Sequence, residues 1–170
     1  MLSFKNQIKE LQTVIKTLPK ERMDFAIKKI CNTLKNNKKI FICGNGGSMA
    51  HAHHLSAELL VRFNPLIKRK GYKIINLDMN LSTVTACSND LGYENIFSRN
   101  LDTLSDEGDL LIVLSTSGNS KNVLKTLKVA KKRKVNSIGL YGKEKGVCEK
   151  YTDLCIKANS KDTAGIQEAH

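Results

Sequence analysis

The chain has 170 residues, with 28 Lys and Arg against 16 Asp and Glu, and so a formal net charge of +12. That length suits one domain with a core of its own, and 41% hydrophobic with 26% charged residues is ordinary for a globular protein; disorder, collagen-like structure and a multidomain machine are poor readings. The positive charge invites a nucleic-acid ligand, but only five basic residues are Arg, and the four Tyr and five Phe show no basic-aromatic interleaving, so nucleic acid is set aside as the primary ligand.

Phe4, Ile8, Leu11, Ile15 and Leu18 recur at steps of three and four, which predicts an amphipathic helix. Pro19 breaks it, and Met23, Ala26, Ile27, Ile30 and Leu34 resume the pattern as a second helix. Residues 1–37 are read as an N-terminal helical extension whose apolar stripe needs a cover, a sheet or another subunit. From Lys39 short apolar runs alternate with helical patterns. Lys39–Cys43, Lys73–Leu77, Asp109–Leu114, Asn136–Leu140 and Asp153–Ile156 are predicted strands. Between them Ser48–Arg62, Leu81–Ser88, Asn95–Leu104 and Asn119–Lys132 are predicted helices, with a turn at Asn89-Asp90-Leu91-Gly92. Ile166–His170 opens a last helix, capped by Asp162 or Thr163. Strands separated by helices imply crossover connections, hence α/β architecture with a doubly wound five-stranded parallel sheet over residues 38–170. Ligands in such sheets bind beyond the carboxyl ends of the strands, which directs attention to the loops after Cys43, Leu77 and Leu114.

The five cysteines, Cys31, Cys43, Cys87, Cys148 and Cys155, are too widely spaced for a CxxC motif. With no signal-like start and no stretch approaching a membrane helix, they point to a cytoplasmic protein with free, mostly buried thiols and no membrane partner.

Two of the three loops carry recognisable chemistry. Ser115-Thr116-Ser117-Gly118-Asn119-Ser120 places four hydroxyls and a glycine at a strand-to-helix turn, where O–H and N–H donors and the helix N-terminus wrap an anion. With neither a Walker lysine nor GxGxxG, the anion is expected to be a terminal phosphate on a small molecule; one hydroxyl would have sufficed for a plain helix cap. Gly44-Asn45-Gly46-Gly47-Ser48 is either a tight turn or a place of close backbone approach to a ligand. On the following helix His54 and Glu58 lie four apart on one face, fit to bind a divalent metal together or to act as paired acid and base. His51 and His53 lack a comparable argument and are read as surface or interface residues. Gln167 and His170 share a face of the last helix, and either can reach a site.

CGNGGS at Cys43–Ser48, HLSAEL at His54–Leu59, SNDLGYENIFSR at Ser88–Arg99, STSGNS at Ser115–Ser120 and IQEAH at Ile166–His170 together resemble the sedoheptulose 7-phosphate (phosphoheptose) isomerases of the sugar isomerase (SIS) fold. The resemblance implies an aldose–ketose isomerase making D-glycero-D-manno-heptose 7-phosphate for bacterial lipopolysaccharide, capsule or another glycan. It implies that Glu58 and His54 are catalytic, with Glu58 as the base. It implies a phosphate cradle of Ser115, Thr116, Ser117 and Ser120, and sugar contacts from Asn45, Gly46, Gly47, Ser48, Asn89, Asp90 and Gln167. An Asx turn in NDLG is the alternative role for Asp90. It implies one zinc per subunit held by His54, Glu58, Gln167 and a further histidine, with metal ligation and base chemistry competing for Glu58. Members are homotetramers, which agrees with an apolar stripe at the N-terminus. In two places the chain departs from the family: Gly165 stands where an Arg usually precedes IQE, and the second catalytic histidine, also the fourth zinc ligand, is expected five residues beyond His170. The alternative is a non-catalytic SIS-fold tetramer that binds a replication initiator, a relative in which the His54–Glu58 pair is expected to be missing.

Overall fold

The structure, a computed structural model, describes residues 4–170. Two helices, α1 (Phe4–Lys16) and α2 (Lys20–Lys35), precede the first strand, as the apolar spacing predicts. Then come β1 (Ile40–Gly44), α3 (Gly47–Ala57), β2 (Ile74–Asn76), α4 (Leu81–Leu91), α5 (Ile96–Leu104), β3 (Leu110–Ser115), α6 (Lys121–Lys132), β4 (Asn136–Tyr141), β5 (Leu154–Lys157) and α7 (Thr163–Ala169). All five predicted strands form, in one parallel sheet ordered β2-β1-β3-β4-β5.

The sheet is apolar on both faces because helices cover both. Phe41, Cys43, Leu111 and Val113 pack against Phe97 and Leu101 of α5 and Val123, Leu127 and Ala130 of α6. The alternate residues Ile40, Ile42, Leu110 and Ile112 face Ala26 of α2 and Ala52 of α3. A third, small cluster joins Val14 of α1 to Ala158 and Ile166, so α1 is the element that backs α7. Phe4, Ile8 and Ile15 of α1 remain exposed, as do Phe25 and Ile27 of α2.

The order places the topological switch at β1 and β3. From β1 the chain winds outward to β2, then returns past β1 to β3. In the β1–β3 ladder Gly44 stands opposite Leu114, so the two strands end level and their following loops open side by side.

Two sequence expectations are corrected. The helix predicted for Ser48–Arg62 is α-helical only to Ala57; Glu58–Arg62 forms a π-helical turn. Arg69 causes the change by donating to the Glu58 and Leu59 carbonyls at 2.8 Å each, while Tyr72 N–H takes the Leu59 carbonyl as well. Second, Asn89 and Asp90 are helical rather than part of a turn, because α4 runs on to Leu91 and is stopped by Gly92 at φ +89°. The five thiols are free and mostly buried, as expected: Cys43, Cys87 and Cys148 are inside, Cys155 is half-buried and Cys31 exposed. Burial pushes the Cys148 thiol up to about 11 and the Cys43 thiol further, which leaves both inert at neutral pH. Among the described residues no helix is long and apolar enough to cross a membrane.

Candidate functional site

The loop after β3 is built mostly from its own backbone and hydroxyls. Ser115 is buried, and its Oγ accepts the Gly118 N–H at 3.1 Å. Ser117 Oγ accepts the Asn119 N–H at 3.2 Å and stays exposed, with Thr116 and Ser120 half-buried beside it. Ser120 stands at the N-cap of α6 but makes no side-chain cap bond, so its hydroxyl is not spent on the helix end. The segment after β4 braces this loop from below. Gly142 N–H donates to the Thr116 carbonyl, Cys148 N–H to the Gly118 carbonyl at 2.9 Å, and Val147 N–H to Asn119 Oδ1 at 3.0 Å. A cavity of about 250 Å³ opens beside it, lined by Thr116, Ser117, Lys143, Ser160, Lys161 and Thr163. Glu144 lines the same cavity and pairs with Lys161 at 3.5 Å. Lys143 is a cation that sequence reasoning missed, since nothing in its neighbourhood marks it out from the other lysines.

The loop after β1 is held by side chains from elsewhere. Ser48 is buried under the turn, with its N–H bonded to the Asn45 carbonyl at 3.1 Å. Asn45 exchanges two amide hydrogen bonds with Asn122 of α6, at 3.0 and 2.8 Å, and accepts a third from the Tyr93 hydroxyl at 3.0 Å. At Gly47 a Cβ would lie 2.5 Å from Gln167 Oε1 and 2.7 Å from its Nε2. Glycine there is what lets the Gln167 amide lie against the start of α3. Of the two α7 residues the sequence offered, Gln167 is therefore the one brought to this loop.

His170 lies near the Tyr141 carbonyl and near His51 of α3. Both its ring nitrogens are buried without a partner, and burial lowers its pKa despite the nearby Tyr141 carbonyl, with the charge of His51 acting in the same direction as burial. His53, left without a role by the sequence, meets Asp78 at 2.6 Å across the end of β2. Asp162 caps α7 by accepting the Gly165 N–H at 2.9 Å, one of the two caps expected.

His54 and Glu58 keep their shared face. The Glu58 N–H reaches the His54 carbonyl, so the turn between them is intact, and the π-helical turn begins only at Glu58. His54 is exposed and Glu58 half-buried. Asn89 and Asp90 are exposed at the end of α4, Asn89 donating to Asp90 Oδ1 at 2.8 Å; Tyr93, three residues on from Asp90, reaches Asn45. Among the described residues no group of three or more His, Cys, Asp or Glu side chains forms a metal centre. His54, Glu58 and Gln167 present one nitrogen and two oxygen donor types, which suits a zinc ion in ligand chemistry.

The chain matches the SIS domain family over residues 3–142. It is 46% identical over 148 residues to a phosphoheptose isomerase of Campylobacter concisus, covering 87% of this chain and 77% of that protein. Among solved structures, it superposes on a phosphoheptose isomerase from Neisseria gonorrhoeae with a TM-score of 0.87 at 33% identity, covering 97% of this chain and 86% of the other. A phosphoheptose isomerase from Francisella tularensis gives a TM-score of 0.89 at 30% identity over the same shares.

Proposed function

We propose a division of labour in this site from the premise that the chain belongs to the phosphoheptose isomerases, within the SIS domain family. It is an isomerase that converts sedoheptulose 7-phosphate in heptose biosynthesis. The product in our reading is D-glycero-D-manno-heptose 7-phosphate, a ketose becoming an aldose. The terminal phosphate sits on Ser115, Thr116, Ser117 and Ser120 at the N-terminus of α6, with Lys143 adding charge along the neighbouring cavity wall, where Lys161 is paired with Glu144. The sugar extends toward Asn45, Gly46, Gly47 and Ser48, with Gln167 across from Gly47 and Asn89 and Asp90 at the rim.

Isomerisation moves one proton between neighbouring carbons. Glu58 takes the proton from the carbon beside the ketone, leaving an enediol, and returns it to the former carbonyl carbon. His54, one turn earlier on the same face, serves the oxygens, donating a proton to one and accepting one from the other. A zinc ion held by His54, Glu58 and Gln167 would supply Lewis-acid polarisation of the carbonyl. A ligating Glu58 is a weaker base, so metal occupancy and proton abstraction draw on the same carboxylate. The observation that carries this reading is the approach of Gln167 to Gly47, which brings α7 to the start of the helix that bears His54 and Glu58.

Residues 1–37 are read as the oligomer-forming helices of a cytoplasmic homotetramer, and 38–170 as the SIS domain. Exposed Phe4, Ile8 and Ile15 on α1, and Val61, Phe63 and Leu66 after α3, are apolar surface that a second copy would cover. Sedimentation of the intact protein checks this; a monomer at micromolar concentration contradicts it. For the chemistry, Glu58→Gln is expected to lower kcat by about 10³-fold with sedoheptulose 7-phosphate and to abolish solvent-deuterium incorporation into product. Retained exchange would remove Glu58 from the role of base.

A further inference from the structure

We propose that Asn122 and Tyr93 are positioning residues for the isomerisation, clamping the loop after β1 to the loop after β3 through the side chain of Asn45. Asn122 is 2% exposed, a polar side chain set deep in the first turn of α6. Its Oδ1 accepts the Val123 N–H at 2.9 Å, and a backbone N–H can only donate, so this bond fixes which way the amide points. The Asn122 Nδ2 must then face Asn45, and Asn45 must answer with its Oδ1, at 2.8 Å. The return bond, from Asn45 Nδ2 to Asn122 Oδ1, is 3.0 Å. The Tyr93 hydroxyl donates to the same Asn45 Oδ1 at 3.0 Å. Both lone pairs of that oxygen are taken, and a single Nδ2 hydrogen of Asn45 is left for a ligand.

The consequence is geometric. Asn45 belongs to the turn from β1 into α3; Asn122 lies two residues beyond Ser120 on the phosphate loop. A ligand that spans both loops is bound only when their separation is right, and this reciprocal amide pair sets it. The pair also lines the wall of a cavity of about 290 Å³, together with Tyr93, Glu94, Ser120 and Lys121, open between the two loops. Thr126 Oγ1 holds the Asn122 carbonyl at 2.7 Å, so the anchor does not swing with the loop it positions.

The inference rests on phosphate lying on the loop after β3 and sugar on the loop after β1. Inorganic phosphate needs only the first loop, whereas the sugar phosphate needs both. In the full-length protein, Asn122→Asp keeps the acceptor for Val123 N–H but turns an acceptor toward Asn45 Oδ1. It is expected to lower kcat/KM for sedoheptulose 7-phosphate by about tenfold while leaving competitive inhibition by inorganic phosphate within about twofold of wild type. Tyr93→Phe is expected to lower kcat/KM by about two- to threefold, again with phosphate inhibition unchanged. In the Asn45→Ala background neither substitution is expected to cost more, because both act through Asn45. Weakened phosphate inhibition in step with KM, or losses that multiply in the double variants, would overturn the clamp. Should Asn122→Asp fail to fold, the Tyr93→Phe and Asn45→Ala cycle decides the same question. If phosphate does not compete with substrate in the wild type, the loop assignment fails, and the double-variant cycle still decides the clamp.

Discussion

The two loops at the switch point are held in opposite ways. The loop after β3 rests on backbone: its own hydroxyl-to-amide bonds, and three N–H donors from the stretch after β4. The loop after β1 rests on side chains borrowed from three distant places, Tyr93, Asn122 and Gln167. Backbone bracing gives a rigid cradle that suits a phosphate, the invariant end of a sugar phosphate. Side-chain bracing lets single substitutions move the end of the site where we propose that the carbonyl chemistry takes place. Damage to the loop after β1 should therefore show in activity before stability, and damage beneath the loop after β3 in stability and substrate binding.

The largest effect is expected at Gly146, where an added Cβ would run into the Gly118 carbonyl and Cα, backbone that has no rotamer to escape into. Gly146→Ala should lower stability by about 3 kcal/mol and the melting temperature by several degrees, read by calorimetry. An unchanged melting temperature would mean that the brace after β4 is dispensable. Next, Ser117→Ala with Ser120→Ala removes two hydroxyl donors to a charged group and should raise KM about 30-fold, corresponding to ~2 kcal/mol, with kcat little changed. A fall in kcat at constant KM would place the reacting end, rather than the phosphate, on this loop.

The smallest effect is a pH dependence beneath the same loop. Burial alone would raise the Glu149 carboxyl; the Gly146 N–H at 2.8 Å and Lys157 at 3.1 Å outweigh it and hold the group below its ordinary 4.5. A carboxylate with a depressed folded-state pKa adds stability that is present above pH 4.5 and lost as pH falls through the lower, folded value. Glu149→Gln should thus be less stable at neutral pH and converge with wild type in acid. Parallel curves from neutral to acid pH would show that Glu149 contributes nothing to acid sensitivity.

The same contrast explains what could be read from the sequence. The five strands were legible because a parallel sheet covered on both faces spells its strands as apolar runs, as in Leu110–Leu114. STSGNS was legible as a candidate anion loop because such a loop, built from backbone and hydroxyls, needs those residue types in one place. Tyr93 and Asn122 were not, because their partner lies 48 and 77 residues away, and an ordinary Tyr and Asn carry no local mark of it. Nor was the π-helical turn at Glu58, since the cause is Arg69, eleven residues on, capturing two carbonyls. The approach of Gln167 to Gly47 was not legible either, because α7 is packed on α1 through Ile166 and Val14, a contact invisible to spacing alone.

The most direct measurement of this division is Gly47→Ala, with kcat/KM and melting temperature taken on one preparation. The Cβ would meet the far end of the Gln167 side chain, which can swing away without unfolding anything. The expected result is a loss of about tenfold or more in kcat/KM with a melting temperature within about two degrees of wild type. Full activity in a correctly folded Gly47→Ala protein would contradict the placement of Gln167 against the loop after β1, and with it the site as described.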